Sequence, residues 1–258
     1  MTRIILVTSG KGGVGKTTLI ANLAYALTEL GKEVIAMDAN LTTPNLGLHL
    51  GFHLTPNTLH DVLKGETSLK DAIYPHPYGF KVLPASMNVN DLTGVDVGKL
   101  PEITLSLMGK ADFVIMDCAA GLGREAISAI NASEEVLLIT NPDLPSVADA
   151  LKTLKIAEAT GKKVLGVVVN RVGRKWYELT KWEIEEIIGL PVIAEIPEDE
   201  NVAKAITLKK TVVDFNPYSP AAIEIRRLAH WLVGRKFTYE APSLSLWERF
   251  VRWIKGAT

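Results

Sequence analysis

The run Ile4-Ile5-Leu6-Val7-Thr8-Ser9-Gly10-Lys11-Gly12-Gly13-Val14-Gly15-Lys16-Thr17-Thr18 decides the fold. An apolar stretch leads into a glycine-rich turn, and an Ala-rich apolar stretch, Leu19 to Leu30, leaves it. Strand, glycine loop and helix, in that order, are the setting of a phosphate-binding loop. Glycine lets the backbone turn tightly and come close to a phosphate. Successive N–H groups then form an anion nest at the positive end of a helix dipole. Gly10, Gly12, Gly13, Val14, Gly15 and Thr18 are expected to cradle phosphates. Lys16 is expected to reach the β- and γ-phosphates, and the Thr17 hydroxyl to ligate Mg²⁺.

Outward from this loop, apolar runs alternate with longer helical patterns. Strands are expected at Ile4–Val7, Glu33–Asp38, Phe80–Leu83, Phe113–Asp117, Glu135–Thr140, Val164–Asn170 and Val192–Ile196. Most are continuous and rich in β-branched residues, as in strands buried on both faces of a parallel sheet. Gly31, Gly109, Gly161 and Gly189 fall where helices should stop. The pattern predicts an α/β fold, a doubly wound, mostly parallel sheet with helices on both faces. Ligands of such folds sit beyond the carboxyl ends of the strands. The glycine loop, Asp38, Asp117 and Asn170 all fall at such ends.

Composition narrows the function classes. With 258 residues there is room for one large α/β domain. A formal net charge of -1 gives no global basic footprint, so nucleic acid is an unlikely partner. No signal peptide pattern precedes the glycine loop, and no apolar run is long enough to span a bilayer. The single cysteine, Cys118, rules out an internal disulfide and fits a reducing cytoplasm.

Three further positions carry chemistry. Asp117 ends the apolar strand Phe113 to Met116, an arrangement that holds Mg²⁺, usually through water. Asp38 ends another strand and is expected near the same metal. The Asn170 amide offers a donor and an acceptor, which suits adenine. Guanine readers typically present Asn-Lys-x-Asp, and Gly173 stands where the carboxylate would be, so ATP is favoured over GTP.

The string Lys11 to Thr18 resembles the deviant Walker A motif of the MinD/ParA ATPase family, and the likeness covers nearly the whole chain. The resemblance implies that Lys11 crosses a dimer interface to the partner's nucleotide, giving a sandwich homodimer with ATP and Mg²⁺ at the interface. Val34 to Asn40 resembles the family's first switch, whose two aspartates stand two residues apart. Asp38 matches the first, and Asn40 replaces the second, which positions or activates the attacking water. Asn40 accepts a hydrogen bond but takes no proton, so slow hydrolysis is expected. Asn45 is expected to help order this switch. Cys118 to Leu122 resembles the second switch, with Ala119 where proline is common. There Gly121 would offer an N–H near the γ-phosphate. Asn170 and Arg171 look like the adenine-reading element, and Pro197, Glu198 and Asp199 like the second base-contacting loop.

The histidines show no metal-ligand spacing. His49, His53 and His60 are expected on a solvated loop region, and Trp176 and Trp182 in a helix as packing residues. A linker is expected at 235–243, after an ATPase domain at 1–234. The segment 244–258 follows, with Leu246, Trp247, Phe250, Val251, Trp253 and Ile254 on one helical face and Glu248, Arg249, Arg252 and Lys255 on the other. Ser245 and Glu248 form a capping box. Aromatic residues opposite cations favour a membrane interface, and the segment resembles the family's membrane-targeting tail.

The expected function is that of a MinD-like ATPase. ATP drives dimerisation, the dimer binds the cytoplasmic face of a membrane, and hydrolysis returns monomers to the cytoplasm, under an unidentified protein regulator. The process would be spatial, such as division-site or polar positioning. The rivals are a ParA-like DNA or cargo ATPase, and a membrane scaffold that binds ATP with little turnover. An iron–sulfur carrier is excluded in its usual form, which needs at least two cysteine ligands per subunit.

Overall fold

A computed structural model describes residues 1–52 and 54–239. Among them are eight strands: β1 Arg3–Thr8, β2 Val34–Ala39, β3 Tyr74–Pro75, β4 Lys81–Leu83, β5 Phe113–Cys118, β6 Glu135–Thr140, β7 Lys163–Val172 and β8 Val192–Pro197. They form one sheet in the order β3-β4-β2-β5-β1-β6-β7-β8. Every pairing is parallel except β3 with β4. The helices are α1 Lys16–Glu29, α2 Leu46–Leu50, α3 Leu59–Lys64, α4 Leu100–Ser106 and α5 Arg124–Ala132. They continue with α6 Leu144–Ala159, α7 Lys181–Ile188, α8 Glu200–Thr207, α9 Val212–Phe215 and α10 Pro220–Leu232. All seven expected strands are present, and the expected doubly wound fold stands.

The alternation of side chains along each strand divides the core in two. Ile5, Val7, Ala36 and Ile115 pack with Leu23 and Leu27 of α1 and Leu228 of α10 on one face. Ile4, Leu6, Met37 and Met116 pack with Leu59 of α3, Ile130 of α5 and Leu154 of α6 on the other. The middles of the central strands are apolar on both sides because both faces of the sheet are covered. The one strand missed in the sequence, β3, is two residues long and pairs antiparallel to β4 at the sheet edge.

Both poles of the sheet are tied down. At the amino pole of β1, Arg3 bonds Glu135 at 2.7 Å and the Leu232 carbonyl at 2.5 Å, which fixes the end of α10. The carboxyl pole carries the glycine loop. Residues 235–239, the described part of the expected linker, contain no helix or strand, and segment 244–258 lies outside the described residues. No helix among the described residues is long and apolar enough to cross a membrane.

Two readings of the sequence are corrected here. His60 is fully buried. Its Nε2 lies 3.2 Å from the Leu41 carbonyl, and the Ser86 N–H donates to its Nδ1 at 3.0 Å. The carbonyl can only accept, so the proton is on Nε2 and the ring is neutral. Trp176 and Trp182 are exposed, at 94% and 67%, and Trp176 lies in a turn rather than a helix. A charged helix and a basic turn present them to solvent, so packing was the wrong expectation.

Burial lowers the His60 pKa from its ordinary 6.5, against weaker opposing contributions from Leu41, Asp91 and Asp61. The folded protein holds the ring neutral while the unfolded chain protonates it. Stability is therefore lost as pH falls below about 6.5. His60→Ala removes both bonds and leaves a cavity. It is expected to cost about 3 kcal/mol and to lower Tm by roughly 6–12 °C. It should also flatten the acid limb of Tm against pH, which thermal melts of parent and variant between pH 5 and 8 measure.

Candidate nucleotide site

The site forms where β1, β2, β5 and β7 end, and each of those strands carries a polar residue in its last three positions: Thr8, Asp38, Asp117 and Asn170. The glycine loop bridges from β1 to α1, with Gly13 and Gly15 at positive φ of 76° and 102°. Two glycines are needed for close approach. A Cβ on Gly10 would collide with the backbone carbonyl of Asp149 in α6, and one on Gly15 with the Asn170 amide. The loop is thus clasped between α6 and β7.

Lys16 is buried, and its Nζ lies 3.0 Å from the Ser9 Oγ, which in turn donates to the Lys11 carbonyl at 2.7 Å. Thr17 Oγ1 donates to Asp117 Oδ2 at 2.5 Å. The other Asp117 oxygen, Oδ1, is buried with no hydrogen-bond partner among the described residues. A hydroxyl beside an unsatisfied buried carboxylate oxygen is a hard-oxygen set of the kind Mg²⁺ takes. The residues fit the metal, with Thr17 and Asp117 placed to hold it.

Asp38 stands directly beside Asp117 in the β2–β5 register. It is fully buried, and its carboxylate accepts three backbone N–H bonds, from Asn40 at 3.2 Å, Asn45 at 3.1 Å and Leu46 at 2.9 Å. Asp38 therefore anchors the turn that carries the first switch. Burial raises its pKa well above the usual carboxylate range, and Asp117 adds to that. Burial also raises Asp117, to about 6, against the opposing Thr17 bond and the Lys16 charge. Asn40 is buried and bonded to Thr43 on both sides of its amide: Nδ2 donates to the carbonyl at 2.6 Å, and Oδ1 accepts from the hydroxyl at 3.1 Å.

Asn170 Nδ2 donates to the Val14 carbonyl at 2.7 Å, so a carbonyl fixes which way the amide points. Asn170 lines a cavity together with Arg171, Pro197, Glu198 and Asp199, and its amide oxygen is not engaged by the Val14 bond. Asp199 caps α8 through the Asn201 N–H at 2.9 Å. Arg171 adopts φ 58° and borders both this cavity and the phosphate cavity. Gly121, expected to face the γ-phosphate, instead donates its N–H to the Ser9 carbonyl at 3.2 Å.

Lys11 does not line the phosphate cavity. Its Nζ lies 3.5 Å from Asp143 Oδ1 and 3.3 Å from Ser146 Oγ, at the start of α6. Residues unseen in the sequence are Ser9, His49, Thr43, and Val202, Ala203 and Ile206 of α8. The spacing of the α8 residues on one helical face was the available signal. Nothing local marked Ser9 or His49.

These features define a phosphate-loop α/β protein that binds a nucleotide with Mg²⁺. Residues 5–212 match the family described as CobQ/CobB/MinD/ParA nucleotide binding domain. An uncharacterised ATP-binding protein of Methanocaldococcus jannaschii is 40% identical over 98% of this chain and 95% of its own length. The septum site-determining protein MinD of Thermotoga maritima is 34% identical over 80% of this chain and 79% of its own. The structure of MinD complexed with Mg-ADP from Pyrococcus horikoshii superposes with a TM-score of 0.87 at 39% identity, covering 90% of this chain and 96% of that one. The chain belongs to the MinD/ParA family, as a MinD-type member.

Asp117→Asn tests the metal assignment. In the metal-free protein at pH 7 the variant removes a buried charge beside Asp38. It is expected to be at least as stable as the parent, by up to about 1 kcal/mol. The Tm increase on adding Mg²⁺ and ADP should shrink sharply. In the parent that increase should fade as pH drops below about 6, where a proton competes with the metal for Asp117. Melting curves with and without Mg-ADP from pH 5 to 8 check both.

Proposed function

We propose that this protein is an ATPase whose output is location: ATP and Mg²⁺ bring two copies together, the pair binds a membrane, and hydrolysis separates them. The observation that carries the reading is the placement of Lys11. A lysine of the phosphate loop that points away from its own cavity is superfluous for its own nucleotide. It is half exposed and paired with a half-exposed Asp143. Such a surface pair is worth little, about 0–1 kcal/mol, so Lys11 exchanges it readily for the phosphates of a second copy.

The steps this chain's own residues perform follow from their positions. The loop backbone and Lys16 hold the phosphates, Thr17 and Asp117 hold the Mg²⁺, and Asn170 reads the base. Bound Mg²⁺ neutralises charge on the phosphates during transfer. Asp38 holds the switch turn from beneath. Two copies carry two C-terminal segments, and joined segments gain avidity of roughly 10²–10⁴ over one. The cytoplasmic face of a membrane would receive Leu246, Trp247, Phe250, Val251, Trp253 and Ile254, with 235–243 as linker. Relatives named for septum-site determination support division-site positioning as the process, with a protein regulator.

A second reading, an ATP-binding scaffold with little turnover, is favoured by Asn40. Both halves of its amide are committed to Thr43, and an amide does not take a proton from water as a carboxylate does. Asn40→Asp is expected to raise turnover, on the order of 10²-fold. Phosphate release under saturating ATP measures it, and unchanged turnover would remove this position from the hydrolytic step.

Light scattering of the full chain with ATP, beside co-sedimentation with anionic vesicles, tests the main reading. Lys11→Ala should bind ATP and remain a monomer. Trp247→Glu should dimerise but lose vesicle binding, since burying such a side chain contributes roughly 1.5–3 kcal/mol in each tail. Equal dimer content for Lys11→Ala and the parent would sink the trans-lysine role. Loss of dimerisation in Trp247→Glu would place the tail on the domain instead of the membrane.

A further inference from the structure

The amino pole of the sheet holds a further cavity, of about 610 Å³, which shares no residue with the nucleotide site. It is lined by Ile35, Lys70, Ile73, Pro75, Lys81 and Lys110. Ile35 lies near the start of β2, and Lys81, at the start of β4, is its register partner. Pro75 ends β3 and pairs with Lys81. Lys70 and Ile73 come from the turn before β3, and Lys110 from the loop between α4 and β5. Segments distant in sequence thus close around one opening.

The cavity is apolar at its floor and cationic at its rim. Ile35 is only 1% exposed, and Ile73 is half-buried. Pro75 and the three lysines are exposed. Each lysine can lay its stem along the wall and keep its ammonium in water. β4 and β5 are the two neighbours of β2, so the strands next to Lys81 and Lys110 lie about 10 Å apart, on either side of Ile35. Among the described residues, none of the three lysines makes an ion pair, and no carboxylate lines the cavity. The acids near them in sequence are engaged elsewhere. Asp71 accepts from the Ser68 hydroxyl at 2.6 Å, and Asp112 from the Glu33 N–H at 3.0 Å.

The geometry points to a binding site for an amphiphilic anion: a chain or ring that enters the cavity, and a carboxylate or phosphate that stays at the rim among the lysines. Three like charges around one opening repel one another, and an anion among them offsets that repulsion. An apolar group inside covers Ile35, Ile73 and Pro75, and each CH₂ that it buries contributes about fourfold in affinity. Small-molecule sites span roughly 300–1,000 Å³, and this cavity falls inside that range.

The order of polarity also selects the form of the ligand. Its apolar end must enter first, whereas a bilayer presents its head groups first. The occupant is therefore a free molecule and not a lipid held in a membrane. The inference is independent of how the C-terminal segment is used.

Calorimetric titration of the full-length protein with octanoate at neutral pH tests it, beside hexanoate, acetate and octanol. Octanoate should bind saturably, one molecule per chain. Hexanoate, two CH₂ groups shorter, should bind about fifteenfold more weakly. Octanol lacks the charge and should bind about tenfold more weakly, and acetate, which lacks the chain, should not bind measurably. The double variant Lys81→Gln/Lys110→Gln changes exposed positions only. It should bind octanoate about tenfold more weakly than the parent, and added salt should narrow the gap. Ile73→Trp fills the cavity and should abolish binding. Both variants leave the C-terminal segment unchanged, so octanoate held by that segment would not respond to them. Absence of saturable octanoate binding would overturn the assignment. So would a double variant that binds octanoate as the parent does. The double variant should also keep the parent's binding to anionic vesicles. Loss of vesicle binding with octanoate affinity unchanged would give the lysines to a bilayer instead.

Discussion

Two carboxylates stand side by side in the dry interior, Asp38 on β2 and Asp117 on β5, as register partners on adjacent strands. Neither would be tolerated there without compensation, because an isolated buried charge costs several kcal/mol. They are compensated in different ways. Asp38 collects three backbone N–H groups and so shapes the turn that follows β2. Asp117 receives one hydroxyl and the nearby Lys16 charge, and one of its oxygens has no hydrogen-bond partner among the described residues. The first carboxylate is a structural anchor, and the second is left wanting a cation. The division of labour arises from what surrounds each carboxylate: β2 leads into an eight-residue turn that folds back onto Asp38, whereas Asp117 faces Thr17 and Lys16 of the neighbouring glycine loop.

The loop itself is rigid for a related reason. Gly10 lies against the α6 backbone and Gly15 against Asn170, so neighbours on both sides fix its curvature before any phosphate arrives. Preorganisation of this sort spares the ordering cost at binding. It also makes the loop a junction. Its Lys11 end reaches α6, its Val14 carbonyl holds the base-reading amide, and its Ser9 carbonyl holds Gly121 of the segment after β5. Release of the Gly121 N–H from Ser9 would be required before it could serve a γ-phosphate. In the arrangement seen here that one hydrogen bond ties the second switch to the phosphate loop.

The parts that were legible in the sequence are those where backbone constraints leave few choices. Continuous β-branched runs between turn glycines marked the seven strands, since a central parallel strand must be apolar on both sides. The glycine loop was legible because few residue types fit its curvature. The rest depended on contacts between distant segments. β3 is too short to show a period and exists only because β4 is beside it. His60 resembled any histidine following a Pro- and Asn-containing stretch. Only the approach of Leu41 and Ser86 from 19 positions before it and 26 after it makes it a core residue. Trp176 and Trp182 were misread because aromatic content suggests burial, whereas the Glu178 carboxylate organises the turn at Gly173 and leaves the first indole outside.

The location of the chain's exit constrains any account of how nucleotide governs a tail. β1 carries the phosphate loop at one end and, through Arg3, the end of α10 at the other. At the rise of a parallel strand, six residues separate the two by about 17 Å. The strand between them is fully packed and has one arrangement, so it offers no two-state element to carry a signal. Along β1, a nucleotide at the carboxyl pole therefore meets no two-state element on the way to the end of α10 at the amino pole. On the proposed reading, what it changes is the number of tails held together. On the proposed reading, the shallow ion pair of Lys11 and the deep anchoring of Asp38 serve one scheme. The lysine must be easy to give up to a second copy, and the scaffold that positions it must not move when that happens.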